Sequence, residues 1–327
     1  MSAWREAVGR QPANLAAAAQ AFHGAIAEVD LERLGRGTIV FAGIGASAHA
    51  LVPSVLALRA AGRRAFALQA TELAGISPRP ARQLADAFVL VSQSGASAET
   101  VAALEQIDGI PMIAISAEGD SPLVRASEAW LPLGPEPDTP VATLSYTATL
   151  QALGMFCDAL LGISESVWRV LPSLAEGVLE ASAAPAAALA ADFAGVSVLE
   201  AVGGGPGLAS ARETALLARE ALRLPATAME TREYLHGPLE AVAEGFGAVV
   251  FGRARERALA EAMASFGARV ALVSDSADAD FKLPEVPLVA AAILQILPVQ
   301  LLVDEVASRR GLTIGELRRH QDDTKVT

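Results

Sequence analysis

Ser92-Gln93-Ser94-Gly95-Ala96-Ser97-Ala98-Glu99-Thr100 is the stretch on which the fold turns. It follows Ala87-Phe88-Val89-Leu90-Val91, an apolar run that reads as a buried strand. It leads into Thr100-Val101-Ala102-Ala103-Leu104-Glu105, which reads as an amphipathic helix. A strand, a hydroxyl-rich turn and a helix start direct free backbone N–H groups and the positive end of the helix dipole at one spot. Ser92, Gln93, Ser94 and Ser97 add side-chain donors there. No lysine stands in the loop, which excludes a nucleotide P-loop. One reading is a capped helix with Ser97 as its N-cap. The other is an oxyanion cradle of the kind that holds a sugar phosphate. Four hydrogen-bonding side chains crowded into six positions favour the cradle.

Outward from this loop the first half alternates strand and helix. Strands are expected at Thr38–Ala42, Arg64–Leu68, Phe88–Val91, Pro111–Ile115 and Ala129–Leu133. Helical stretches between them imply right-handed crossovers and a parallel sheet covered on both faces. Ligands then sit at the carboxyl edge, where Gly43-Ile44-Gly45-Ala46-Ser47 and the serine loop both fall. A helix from about Thr143 to Leu161 closes this half, and an alanine-rich helical region follows from Ser166 to Phe193. The pattern then restarts: Val196–Val202, the turn Gly203-Gly204-Gly205-Pro206-Gly207, a helix to Leu224, and strands at Phe246–Phe251 and Arg269–Val273. This is an α/β chain with one unit duplicated, divided into residues 1–165 and 166–327. Gly43-Ile44-Gly45-Ala46-Ser47-Ala48 with Glu72 downstream is the alternative of a dinucleotide turn, disfavoured because serines stand where glycines belong.

The chain has 327 residues, 52% of them apolar and only 5% aromatic, with a formal net charge of -12. That balance argues against nucleic acid, which rewards a basic face. A phosphate must therefore be held by local donors. The single cysteine, Cys157, lies in an apolar helix and cannot form an internal disulfide, which fits a reducing, cytoplasmic setting. The first residues lack the apolar core of a signal peptide. Val286–Val303 contains Pro287, Gln295, Pro298 and Gln300, and reads as a buried helix rather than a membrane span.

Three further residues carry candidate chemistry. Glu220 sits late on a helix whose other positions, Leu216, Leu217, Ala221 and Leu224, are apolar; it is either a solvated helix glutamate or a base whose pKa that face raises. His236 precedes Gly237-Pro238, where an imidazole either bonds backbone or shuttles a proton. Lys325 is either a frayed tail residue or, in a shielded cleft, an amine that engages an open-chain sugar. No HExxH or CxxC spacing occurs, so neither a metal nor any other cofactor is expected.

Taken together these segments resemble the SIS (sugar isomerase) family, in the tandem-domain arrangement of the isomerase half of glucosamine-6-phosphate synthase. The matching runs are Gly45-Ala46-Ser47, Ser92–Ser97, Val141-Ala142-Thr143, Glu213 with Glu220, Leu235-His236-Gly237-Pro238-Leu239, Pro298–Leu302 and Lys325-Val326-Thr327. The resemblance covers roughly residues 25 to 327. It implies two doubly wound, flavodoxin-like parallel sheets. It also implies a phosphate held by Ser47, Ser92, Gln93, Ser94 and Ser97, and substrate contacts at Ala142 and Thr143. Glu220 would move a proton between C1 and C2, His236 would assist ring opening from a neighbouring subunit of a homodimer, and Lys325 would meet the open chain.

Two departures stand out. Leu217 occupies the place of a family lysine, and Arg319–Thr324 replaces the proline and asparagine usual before the terminal lysine. No glutamine-cleaving domain fits before residue 25. The resemblance therefore points to stand-alone glucosamine-6-phosphate deaminases, or alternatively to fructosamine-6-phosphate deglycases, other phosphosugar isomerases, or a non-catalytic sugar-phosphate-binding regulator. The partner in each case is a phosphorylated sugar or aminosugar, with no nucleic acid and no membrane.

Overall fold

The computed structural model describes residues 2–76, 78–107, 109–164, 167–319 and 321–326. Ser166, at which the alanine-rich helix is expected to begin, and the terminal Thr327 lie outside the described residues. By contacts the chain divides into two units, neither contiguous in sequence. One comprises Ala13–Pro137, Ser145–Arg169 and Arg318–Thr327; the other comprises Met1–Pro12, Asp138–Leu144 and Val170–Leu317.

The first unit is built on β1 (Ile39–Gly43), β2 (Ala65–Gln69), β3 (Ala87–Val91), β4 (Met112–Ser116) and β5 (Ala129–Pro132). They form one parallel sheet in the order β2-β1-β3-β4-β5. Every residue of β1, β3 and β4 is buried, as a parallel sheet covered on both faces demands. Val40, Phe88, Leu90 and Ala114 pack with Leu73, Ala81 and Leu123 on one face. Each fully buried Phe or Leu there stabilises the unit by about 1.5–3 kcal/mol. Because the strand order reverses at β1, the loops that leave β1 and β3 flank the switch point of the sheet.

The second unit repeats the plan with β6 (Val198–Gly203), β7 (Ala226–Met229), β8 (Phe246–Phe251), β9 (Arg269–Ser274) and β10 (Phe281–Lys282), parallel in the order β10-β9-β8-β6-β7. A repeat of detail accompanies the repeat of order. A side chain on Gly43 would crowd Ser47, and one on Gly203 would strike the backbone of Gly207, so each first strand ends in a glycine that lets the next helix pack close.

Two expectations need correction. β7 and β10 are strands that the sequence reading does not contain; with four and two residues, neither is long enough to show a period. The helix expected to reach Leu224 ends at Glu220, because Arg223 adopts a left-handed φ of 55° and the Leu224 N–H turns back to the Ala218 carbonyl at 3.0 Å. The expected buried helix spans Leu288–Arg309, with 78% of its most apolar window buried. Val167–Ala194 is also long and apolar enough to cross a bilayer by length and composition, with 28% of its window buried.

Candidate active site

In the first unit, β3 delivers the chain into the serine loop, and tertiary bonds fix the path of that loop. The Ser92 N–H donates to the Ile115 carbonyl at 3.1 Å, as the last rung of the sheet. The Gly95 N–H closes a turn onto the Ser92 carbonyl at 3.0 Å, and Gly95 takes a left-handed φ of 61°. Any side chain on Gly95 would collide with that of Ser121, so this position requires glycine twice over. The Gln93 carbonyl accepts from the Ala117 N–H at 3.0 Å and from Ser116 Oγ at 3.2 Å. Ser94 Oγ accepts from the Ala96 N–H at 3.3 Å.

Ser92 is buried, and its Oγ lies 2.9 Å from Ser97 Oγ. Ser97 does occupy the N-cap position of the helix Ala98–Leu104, yet its hydroxyl makes no capping bond and turns to Ser92 instead. Gln93, Ser94 and Ser97 remain half-buried, open enough to reach a ligand. Ser47 stands half-buried in the first turn of the helix Ala46–Ala60, after Gly45, whose φ is 57°.

The same loop receives the tail of the chain. Thr324 offers its carbonyl to the Ala98 N–H at 3.1 Å, and the Val326 N–H donates to the Ala96 carbonyl at 2.9 Å. Ser97 and Lys325 are thereby paired as an isolated antiparallel bridge. Lys325, far away in sequence, is thus brought beside Ser97, which is itself joined to Ser92, within one unit.

The second unit holds Glu220, His236 and the Ala142-Thr143 turn. Thr143 is fully buried, and its hydroxyl and N–H both donate to Asp138, which serves the start of the helix Leu144–Leu161; Ala142 is half-buried. Glu220 is the last residue of the helix Gly207–Glu220, whose buried face includes Glu213, Ala209 and Leu217. Glu220 retains solvent contact, but its carboxyl is partly withdrawn from water. Desolvation first, and the negative charge of Glu213 second, push it up to about 7.

His236 is exposed, in the turn after the short helix Thr231–Tyr234. The Glu230 side chain caps that helix by accepting from the Arg232 and Glu233 N–H groups at 2.6 and 3.1 Å. Among the described residues, no side-chain hydrogen bond joins Glu220 to His236.

Beneath the His236 turn lies a buried pair that sequence reasoning missed. Glu200, in the middle of β6, accepts a hydrogen bond from Thr227 on the adjacent β7. Burial raises its carboxyl above the ordinary range. Burial also raises the Tyr234 phenol, with the charge of Glu200 adding to the effect. A lone carboxylate inside Val198-Leu199-Glu200-Ala201-Val202 was the signal available. Among the described residues, no group of three or more His, Cys, Asp or Glu side chains is placed to hold a metal ion.

Two sheets of one topology, each with its glycine turn at the switch point, define a duplicated, doubly wound α/β fold. Residues 35–161 match the SIS domain family model, so the chain carries a SIS domain there, and the second sheet repeats its architecture. Among curated proteins, the chain is 29% identical over 249 residues to the isomerizing glutamine–fructose-6-phosphate aminotransferase of Pyrobaculum aerophilum, covering 69% of this chain and 41% of that protein. The corresponding protein of Brucella abortus is 26% identical over 259 residues, covering 70% and 42%. The match therefore spans well under half the length of these relatives.

Among solved structures, glucosamine-6-phosphate deaminase from Thermotoga maritima superposes with a TM-score of 0.81 at 21% identity, covering 99% of both chains. The C-terminal domain of glucosamine-fructose-6-phosphate aminotransferase from Francisella tularensis gives 0.78 at 18% identity, covering 95% and 97%. Tagatose-6-phosphate ketose/aldose isomerase from Escherichia coli gives 0.76 at 20%, covering 99% and 96%. These likenesses show that the fold, with its two parallel sheets flanked by helices, is shared.

Proposed function

We propose that this chain is an aminosugar-phosphate isomerase/deaminase that converts glucosamine 6-phosphate and water to fructose 6-phosphate and ammonia. The observation that supports the reading is the serine loop with Lys325 bridged onto Ser97, a hydroxyl-rich turn and an amine-bearing residue side by side. In this reading Ser47, Ser92, Gln93, Ser94 and Ser97 hold the phosphate, and Ala142 and Thr143 border the sugar. His236, supplied by the neighbouring subunit of a homodimer, passes a proton to the ring oxygen as the C1–O bond opens. Glu220, poised near neutrality, takes the proton from C2 and returns it to C1. The C2 imine so formed adds water and expels ammonia, leaving the ketone of fructose 6-phosphate. Lys325 steadies the open chain. The unpaired, buried Cys157 suits a reducing, cytoplasmic setting.

The test is release of ammonia and fructose 6-phosphate from glucosamine 6-phosphate without glutamine or added metal. Glu220→Gln should lower that rate by roughly 10²–10⁴. Turnover only of a fructosamine 6-phosphate conjugate would transfer the same residues to a deglycase. Binding of these compounds without turnover of any would leave a regulator.

A further inference from the structure

Among the described residues, Arg223 is the one non-glycine with a left-handed backbone, at a φ of 55°. It stands three residues past Glu220, where the helix Gly207–Glu220 is brought to its end. Glycine adopts that conformation without steric cost and an arginine does not, because its Cβ crowds the following carbonyl oxygen. A side-chain bond offsets the cost. The Arg223 guanidinium is half-buried, and its Nη2 donates to the Glu316 carbonyl at 2.9 Å.

The segment that offers this carbonyl makes a second contact. Gly315 has a φ of 97°, and the point its Cβ would occupy lies 3.5 Å from Cγ and Cδ of Pro140. Residues 315–316 thus rest their backbone against the Pro140 ring. Pro140 belongs to the turn that Asp138 closes by accepting from the Thr143 N–H, at 3.0 Å, and from the Thr143 hydroxyl. That turn carries Ala142 and Thr143. A continuous path therefore runs from the helix end bearing Glu220, through Arg223 and residues 315–316, to the turn assigned to the border of the sugar. Every member of it lies in one unit. Arg310 also braces this helix end, donating to the Leu222 carbonyl at 3.5 Å, but it serves the Ala194 and Val196 carbonyls as well and so supports the fold at large.

We propose that Arg223 is a positioning residue for Glu220, its bond to Glu316 fixing the end of the Glu220 helix against the Asp138–Thr143 turn. The role rests on the part given to Glu220 in the aminosugar reaction and places Arg223 itself in no contact with the reacting atoms.

Arg223→Gly and Arg223→Lys, made in the full chain, test it. The urea midpoint of Arg223→Gly should change little, since relief of the left-handed backbone offsets the lost hydrogen bond. Its kcat on glucosamine 6-phosphate should fall about tenfold or more, as for a displaced catalytic group, with KM changed less than about twofold because the serine loop still holds the phosphate. Arg223→Lys restores a donor to the single carbonyl and should return kcat to within about threefold of the wild type. Carbon NMR of the Glu220 carboxyl gives a reading that needs no substrate. A loosened helix end admits water to that carboxyl, so its midpoint, about 7 in the wild type, should fall by about 0.5 or more in Arg223→Gly. Loss of a nearby positive charge alone would move it up. An unchanged or raised midpoint, or a kcat equal to that of the wild type, would overturn the positioning role. A kcat that falls only in step with a lowered urea midpoint would make Arg223 structural and overturn it as well. Should the wild type turn over no phosphosugar, the aminosugar reading fails, and the NMR midpoint alone decides whether Arg223 positions Glu220.

Discussion

Replacing Glu213 by Gln should lower the pKa of Glu220 by an amount the helix itself sets. Both residues lie on the helix Gly207–Glu220, and Glu213 is the charge that adds to desolvation in pushing Glu220 up to about 7. Two helical turns separate them, about 10 Å along the axis. At that distance two negative charges repel by about 0.4 kcal/mol in water and about 1.6 kcal/mol at the effective dielectric of a protein site. Removing Glu213's charge should therefore move the Glu220 midpoint down by about 0.3 to 1.2 units. Because Glu220 acts as a base in the proposed reaction, the rate should rise with pH through about 7 in the wild type and through a lower pH in the variant. Carbon NMR of labelled glutamate carboxyls follows the same titration without any substrate. An unchanged midpoint would mean that Glu213 carries no charge felt at Glu220. An upward movement would refute the electrostatic argument outright.

Other expectations can be checked in parallel. Gly95→Ala forces a side chain into a left-handed turn and against Ser121; it should cost about 1–3 kcal/mol from the backbone alone, read by urea unfolding, and should abolish phosphosugar binding. Glu200→Gln should become progressively more stable than wild type as pH rises above about 4.5. The native state holds the Glu200 proton more tightly than the unfolded chain does, so the wild type loses stability in that direction; a gap that does not widen with pH would contradict this. Lys325→Ala leaves the main-chain bonds of the tail in place, so turnover should fall roughly a hundredfold or more while protection by a phosphosugar against thermal unfolding persists.

What could be seen in advance followed burial. Ala87–Val91 was legible because a strand covered on both faces is apolar at every position, and Ser92 was legible as the point where that rule stops. β7 and β10 were not, since Ala226–Met229 and Phe281–Lys282 owe their conformation to pairing with β6 and β9 rather than to any pattern of their own. The pairing of Ser97 Oγ with Ser92 Oγ was equally hidden, because the local rule for a serine before a helix predicts a cap. The raised Glu220 carboxyl was foreseeable from the apolar residues around it, but the contribution of Glu213 needed the helix to be drawn. Thr143 shows the reverse: a motif places it, but only the fold reveals that its hydroxyl is committed to Asp138.

The bridge between Ser97 and Lys325 also bears on how the molecule is made. It joins residues more than two hundred positions apart, so the first sheet can be synthesised and packed long before its serine loop meets the tail. Until residues 324–326 have been made, the Ala98 N–H and the Ala96 carbonyl lack their two partners. Chains cut short near residue 317 would retain every strand yet never complete that loop. Ligand binding at the loop would then report on whether residues 324–326 are present and seated, which far-ultraviolet circular dichroism would not.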